Sequence, residues 1–213
     1  MPPQTLSAEA KQVLRETNPW WVDGAVRPDP PGYERRQVDL LMRAIGQPGA
    51  RAQALRGPRQ VGKSTALLQI VKRLIADGTS PREIFLIRFD LDVIRECGGL
   101  LPLLRWYASE IRRKDLSAGP PYYLLLDEVH KLGRWDEQVK HVFDTYKPRM
   151  LFTGSSSVLV ARGQRESLAG RALTTEFPPF LFREVLEMTK EDGVRALSGK
   201  LDAVSLLDGP DAA

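Results

Sequence analysis

The chain has 213 residues, 42% of them hydrophobic and 27% charged, which is the composition of an ordinary globular protein with room for one full domain. No apolar run approaches the roughly 20 residues that span a membrane, and no signal-peptide pattern opens the chain. The single cysteine, Cys97, excludes a disulfide framework and a thiolate zinc cluster, so we expect a cytoplasmic protein with no membrane partner.

The first 33 residues predict a helix followed by a proline-rich arm. Apolar residues at helical spacing indicate a helix over residues 7–17, which Asn18-Pro19 ends. The segment NPWW then leads into a stretch dense in proline and glycine, which is typical of a linker. Trp20 and Trp21 could pack near a bound base or anchor the arm, and anchoring is the favoured interpretation.

Residues 34–188 predict an α/β domain that begins with an amphipathic helix over residues 34–45. Continuous apolar runs then alternate with helical segments, which is typical of a mainly parallel sheet covered on both faces, a three-layer αβα sandwich. The first predicted strand is unusual, because Arg51 and Gln53 stand where a central strand should be apolar. The predicted strands cover residues 51–56, 83–89, 122–128, 149–156 and 172–177, and the further helices cover residues 63–76, 93–113 and 135–146.

The segment after the first predicted strand fits the phosphate-loop pattern G-x-x-x-x-G-K-[ST]. Glycines allow the backbone to wrap closely around phosphate oxygens, and the helix that follows adds the positive end of its dipole. Lys63 can reach the β- and γ-phosphates of a nucleotide, and the Ser64 hydroxyl can ligate Mg²⁺. We therefore predict that a nucleotide is bound by Gly57, Pro58, Arg59, Gln60, Val61, Gly62, Lys63, Ser64 and Thr65.

Two acidic residues, Asp127 and Glu128, directly follow an apolar predicted strand. An acid at this place in phosphate-loop proteins holds magnesium beside the loop hydroxyl, which predicts that role for Asp127. Glu128 is then the candidate general base that orients and polarises an attacking water. A lone acidic pair is more often a solvated turn, but the phosphate loop reverses that preference. The pair favours an enzyme that hydrolyses the nucleotide over a small-molecule kinase. The sequence has no guanine-reading segment of the kind expected in a GTPase.

Hydroxyl and arginine residues farther along the chain could complete the site. The run LFTGSSS ends an apolar strand in a group of hydroxyl residues, Thr153 and Ser155–Ser157, and Ser155 could contact the γ-phosphate or the attacking water. A Gly-Ser loop that caps the next helix is an equal alternative. Among Arg162, Arg165 and Arg171, the last is the favoured candidate for an arginine that a neighbouring subunit supplies, with a plain surface arginine as the alternative. His130 is interpreted as a surface or supporting group.

Together these segments resemble a family of bacterial and archaeal P-loop ATPases, an AAA-like group with an additional catalytic glutamate. The resemblance covers residues 18–188 and is carried in order by NPWW, GPRQVGKST, LIRFDLD, LLLDEVHKLGRWDEQVK, LFTGSSS and LAGRALTTEFPPFLFREVL. It implies a P-loop NTPase fold with strand order 5-1-4-3-2, ATP as the nucleotide and Mg²⁺ as the cofactor. By position it assigns the roles described above to Lys63, Ser64, Asp127, Glu128, Ser155 and Arg171.

Members of that family usually carry a further C-terminal domain of unknown function. In this chain the similarity ends just after Phe182-Arg183-Glu184, and residues 189–213 are expected to form a poorly ordered acidic tail. We therefore expect a truncated member of the family or a fragment.

Three functions stay open from the sequence. The first is a Mg²⁺-dependent ATPase, which a homo-oligomer could complete with an arginine supplied in trans. The second is an ATP-dependent switch with little or no turnover, and Glu128 favours the first over it. The third is a DNA-associated motor or defence component that needs a missing C-terminal domain. The net charge of +4 permits nucleic-acid binding, but without a dense basic run a solvated arginine-rich surface is favoured.

Overall fold

The computed structural model describes residues 6–155 and 168–188. Contacts divide the chain into two compact units, residues 1–177 and 178–213. The first unit contains the whole sheet. The described part of the second unit contains one helix, and the amide of Leu181, just before that helix, donates to Glu184 Oε2 at 2.8 Å. The domain boundaries predicted after residues 33 and 188 stay predictions.

Five parallel strands form one sheet in the order β2-β3-β4-β1-β5, which is the predicted order 5-1-4-3-2 counted from the other edge. The strands are β1 (Ala52–Gly57), β2 (Ile84–Arg88), β3 (Tyr123–Asp127), β4 (Arg149–Ser155) and β5 (Ala172–Glu176). The helices are α1 (Ala8–Thr17), α2 (Trp20–Asp23), α3 (Arg36–Gly46), α4 (Lys63–Ala76), α5 (Asp92–Arg95), α6 (Leu100–Trp106), α7 (Trp135–Tyr146) and α8 (Phe182–Met188). The predicted three-layer α/β fold with a parallel sheet is therefore confirmed.

The central strands are buried because helices cover the sheet. Three consecutive leucines of β3, residues 124–126, have no exposed surface. Gln53 is also buried, and its Nε2 donates to the Arg51 carbonyl at 2.9 Å. Because β1 begins at Ala52, Arg51 lies outside the strand. The buried Gln53 is therefore tolerated in a central strand, because part of its hydrogen-bonding capacity is satisfied.

Several helix boundaries differ from the predicted ones. α3 begins at Arg36, two residues later than expected. The segment predicted as one helix over residues 93–113 contains the end of α5, then α6 and a π-helical turn, Tyr107–Arg112, with a break around Gly98 and Gly99. Within the described residues, no helix combines the length and the apolar character needed to cross a membrane.

The N-terminal segment covers the free side of β2, which is an edge strand. Asn18 is fully buried; its Nδ2 donates to the Leu86 carbonyl at 2.9 Å, and its Oδ1 accepts from the Leu86 amide at 2.8 Å. Trp20 and Trp21 both donate from Nε1 to the Ile84 carbonyl, at 3.2 and 2.8 Å. These bonds satisfy backbone groups that an edge strand otherwise leaves open. The two tryptophans therefore anchor the N-terminal segment to the sheet.

Replacing Asn18 with alanine should lower the free energy of unfolding by roughly 2–4 kcal/mol, because the backbone N–H and C=O of Leu86 both lose a buried partner. Urea-induced unfolding followed by tryptophan fluorescence measures this. The control is Gln12→Ala, which removes an exposed amide bonded to Glu16 and should cost less than about 0.5 kcal/mol. An Asn18→Ala variant as stable as this control would show that the edge of β2 does not need its side-chain partner.

Candidate functional site

The phosphate-loop pattern lies between β1 and α4, at the carboxyl edge of the sheet, and its backbone is left-handed at two positions. The φ angle is 62° at Gln60 and 92° at Gly62. A Cβ added at Gly62 would meet no atom within 4 Å, so a side chain would have room there. Glycine is favoured at this position because of its left-handed backbone conformation. The open space beside Gly62 leaves the loop backbone accessible to a ligand.

Gly57, the first glycine of the pattern, is required for a different reason. A Cβ at this residue would lie 2.1 Å from the carbonyl oxygen of Phe177, a backbone atom that cannot move aside as a flexible side chain can. Phe177 follows β5, and its amide donates to the Arg56 carbonyl at 2.6 Å. Gly57 therefore permits close packing between β1 and the chain that leaves β5, whereas the sequence pattern alone indicates phosphate approach.

Lys63 is buried at the start of α4, and its ammonium group bonds to the loop itself. Nζ donates to the carbonyls of Gly57 at 3.0 Å and Pro58 at 2.6 Å. Gly62 provides no side-chain cap for α4, and the N–H groups of the first helical turn have no acceptor within the helix. A buried cation beside uncapped amide donors is a set that fits phosphate oxygens.

Two buried polar residues outside the pattern support the loop and its helix. Arg35 donates from Nη1 to the Val61 carbonyl at 3.3 Å, and its guanidinium lies 4.7 Å from the centre of the Phe177 ring. Gln69 of α4 donates from Nε2 to two carbonyls within residues 31–33, at 2.8 and 2.7 Å. Sequence reasoning missed both residues, although a glutamine on the apolar face of a predicted helix is a usable signal.

Asp127 and Glu128 are adjacent but differ in backbone conformation and exposure. Asp127 ends β3 and is buried, whereas Glu128 is left-handed, with φ of 52°, and its side chain is 24% exposed. The Thr153 hydroxyl of β4 donates to Asp127 Oδ1 at 2.6 Å and accepts from the Glu128 amide at 2.9 Å. One hydroxyl therefore contacts both members of the acidic pair. The sequence indicated Thr153 only as one of several hydroxyls near a strand end.

His130 lies in a short helical turn after the acidic pair, and its Nδ1 is 3.5 Å from Glu128 Oε2. Burial lowers the pKa of His130 below its ordinary value; the Glu128 carboxylate acts in the opposite sense, and the charges of Lys131, Arg59 and Lys63 lower it further. The ring is therefore neutral at pH 7. Because its Nδ1 is 3.5 Å from Glu128 Oε2, His130 lies beside the acidic pair.

A cavity of about 470 Å³ opens beside the loop and the first acid. Ser64, Thr65 and Asp127 contribute to its lining, together with Arg27 and Arg88. The Ser64 hydroxyl and the Asp127 carboxylate are oxygen ligands of the kind that Mg²⁺ prefers, and phosphate and water oxygens commonly complete such a site. The residues present therefore fit the predicted metal.

Ser155 lies at the carboxyl edge of the sheet, and Arg171 lies at the opposite edge, where the strands begin. Ser155 ends β4 and its backbone is paired with Gly57 at the carboxyl edge, while its side chain is outside the described part of the structure. Arg171 directly precedes β5, and its carbonyl accepts from the amide of Ala52 at 2.9 Å, where β1 starts. With a rise of about 3.3 Å per residue, Arg171 is roughly 17 Å from the edge that carries the loop.

The Arg171 side chain forms an ion pair on its own end of the sheet. Its Nε lies 2.7 Å from Asp144 Oδ1, and this pairing raises the pKa of Arg171 and lowers that of Asp144. The structure therefore does not bring Arg171 to the phosphate loop of its own chain. Four other residues considered from the sequence lie outside the described residues, namely Ser156, Ser157, Arg162 and Arg165.

Two relatives from Methanocaldococcus jannaschii are similar to this chain, and both are uncharacterised proteins. MJ1544 is 28% identical over 151 residues, which cover 71% of this chain and 31% of MJ1544. MJ1637 is 40% identical over 76 residues, which cover 35% of this chain and 15% of MJ1637. The chain therefore spans less than a third of the length of these relatives.

Similar solved structures include Saccharomyces cerevisiae Hsp104 in complex with casein in an extended conformation, with a TM-score of 0.55 and 14% identity over 82% of this chain and 31% of that chain. A closed-state structure of Hsp104 with ATPγS and FITC-casein gives a TM-score of 0.56 and 13% identity, with the same coverage. The predicted AAA-like P-loop fold is therefore confirmed. A protein-family model with the description "AAA domain" matches residues 50–186, which are more than half of the chain. The chain belongs to this AAA domain family of P-loop nucleotide-binding proteins.

Proposed function

We propose that this chain is a Mg²⁺-dependent ATPase in which water attacks the γ-phosphate of ATP. One observation carries the proposal: the buried Lys63 ammonium on the phosphate loop and the acidic pair Asp127 and Glu128 all stand at the carboxyl edge of the same parallel sheet. Membership of the AAA domain family supports ATP as the nucleotide.

The phosphate-binding role follows from donors that face their own loop in the structure. Lys63 exchanges its bonds to the Gly57 and Pro58 carbonyls for charged phosphate oxygens, which are stronger acceptors. The first turn of α4 donates its N–H groups to the same phosphates. Ser64 and Asp127 would hold Mg²⁺, which would offset the negative charge of the phosphates.

Glu128 is the general base of the proposed reaction and accepts a proton from the attacking water. Its side chain is 24% exposed, so water can reach the carboxylate, while its amide is tied to Thr153. The neighbouring His130 ring has a lowered pKa and is neutral at pH 7. It therefore presents no full positive charge to compete for the Glu128 carboxylate.

We also propose that a second copy of the chain supplies Arg171. The residue lies roughly 17 Å from the edge that carries its own loop, too far to act within one chain. Its side chain is 35% exposed, so a neighbouring subunit can reach it. An arginine offered in trans stabilises the charge that develops on the phosphates in the transition state.

Replacing Glu128 with glutamine should lower phosphate release from ATP by roughly 100-fold or more, because the amide cannot accept the proton of the attacking water. ATP binding should be retained, since the loop and Lys63 are unchanged. Steady-state phosphate release and calorimetric titration of ATP measure the two effects. Glu110→Gln makes the same change on an exposed residue and serves as the control.

The outcomes of this comparison separate the competing functions. Tight ATP binding without turnover in the natural chain would contradict the ATPase and favour a nucleotide switch. Turnover that appears only when DNA is added would favour a DNA-associated motor. Equal turnover in the natural chain and Glu128→Gln would remove Glu128 from the reaction.

Two variants that each have low turnover alone, Arg171→Ala and Glu128→Gln, should regain turnover when mixed if the arginine acts in trans. Arg171→Ala keeps an intact loop and acidic pair, and Glu128→Gln keeps the arginine, so a mixture contains sites with every group present. We expect turnover per molecule to rise when the two are mixed, and turnover of the natural chain to rise with protein concentration. Turnover independent of concentration, with no gain on mixing, would exclude a group supplied by a second copy.

A further inference from the structure

Thr153 is a fully buried threonine of β4, paired in register with Leu55 of β1. Its hydroxyl oxygen lies 2.6 Å from Asp127 Oδ1 and 2.9 Å from the amide nitrogen of Glu128. It is thus in hydrogen-bond contact with the proposed metal ligand and with the proposed general base.

The direction of both hydrogen bonds follows from the chemistry of the groups. A backbone amide can only donate, so the Thr153 oxygen accepts the bond from Glu128. The single hydroxyl proton is then donated to Asp127 Oδ1, which accepts it as a carboxylate oxygen. Because this proton is committed to Asp127, the hydroxyl is not a donor to a phosphate. The carboxylate oxygens of Asp127 keep further lone pairs that a metal can use.

We propose that Thr153 is a positioning residue for the hydrolysis proposed above, on which this inference rests. Its hydroxyl fixes the rotation of the Asp127 carboxylate, so that the lone pairs that would ligate Mg²⁺ keep one orientation. It also holds Glu128 in a left-handed conformation, φ 52°, which a residue with a side chain adopts only at a cost in free energy. One hydroxyl thereby sets the geometry of the two acids relative to each other.

The role differs from a packing role, because it depends on the oxygen and not on the methyl group. Thr153→Val removes the hydroxyl with little change in shape, whereas Thr153→Ser keeps it and loses the methyl group. A residue that only fills space would tolerate valine better than serine. A residue that positions the acids should show the opposite order.

The test compares two properties of the natural chain, Thr153→Val and Thr153→Ser. The first is kcat for ATP, which valine should lower roughly 10- to 100-fold because Glu128 is displaced. The second is the factor by which Mg²⁺ strengthens ATP binding, measured by calorimetry with and without the metal. Valine should reduce this factor while leaving ATP binding without Mg²⁺ unchanged, and serine should retain both properties.

The matched control is Thr175→Val, the same change on the edge strand β5, where Thr175 is the other register partner of Leu55; it should leave kcat and the Mg²⁺ factor unaltered. Unfolding midpoints show whether each variant is folded. If valine at Thr153 prevents folding, Thr153→Cys takes its place, since a thiol is only a weak donor and should give the same losses.

Two results with the variants would overturn the inference: a Thr153→Val variant with the natural kcat and Mg²⁺ factor, or equal losses in the valine and serine variants. The Mg²⁺ factor also separates this inference from the proposed function. If the natural chain binds ATP more tightly with Mg²⁺ but shows no turnover, the hydrolysis proposal fails. The effect of Mg²⁺ on ATP binding can then still be compared between the natural chain and the Thr153 variants. If Mg²⁺ does not strengthen binding to the natural chain, the role of Thr153 at Asp127 is refuted.

Discussion

Every candidate group of the site depends on the parallel alignment of three adjacent strands, β3, β4 and β1. Parallel strands bring their carboxyl ends to one edge, so the phosphate loop after β1 and the acidic pair after β3 stand on the same side. β4 lies between those two strands, which allows its Thr153 hydroxyl to contact Asp127 and Glu128. The same alignment puts Arg171, which precedes β5, at the far end of the sheet.

The parts of the fold and site that local sequence determines could be predicted. Continuous apolar runs predicted β2, β3 and β4, and the spacing of Gly62, Lys63 and Ser64 predicted the loop, because the backbone conformation and the side-chain chemistry are encoded within a few residues. The acidic pair was predictable for the same reason. The strand order came from the family resemblance, since apolar runs alone do not determine which strands are neighbours.

The contacts that join distant segments could not be predicted. Asn18 binds Leu86 across 68 residues, and Gln69 binds carbonyls more than 30 residues earlier, so no local pattern contains either bond. Thr153 resembled its neighbouring hydroxyls until the register of β4 brought it to the acids. Gly57 shows that a correct motif can have an incomplete explanation, because Phe177 also requires a glycine there. Tertiary contacts therefore decide which of several plausible side chains has a role.

The most direct test of the account is a calorimetric titration of ATP with Mg²⁺ into the natural chain, Lys63→Ala and Lys72→Ala. Both lysines are on α4, but Lys63 is buried on the loop, whereas Lys72 is an exposed partner of Asp29. We expect the natural chain and Lys72→Ala to bind ATP equally, and Lys63→Ala to bind at least roughly tenfold more weakly, since it lacks charged bonds to phosphate. Equal binding by all three proteins, or no binding by the natural chain, would contradict a nucleotide site at this edge of the sheet.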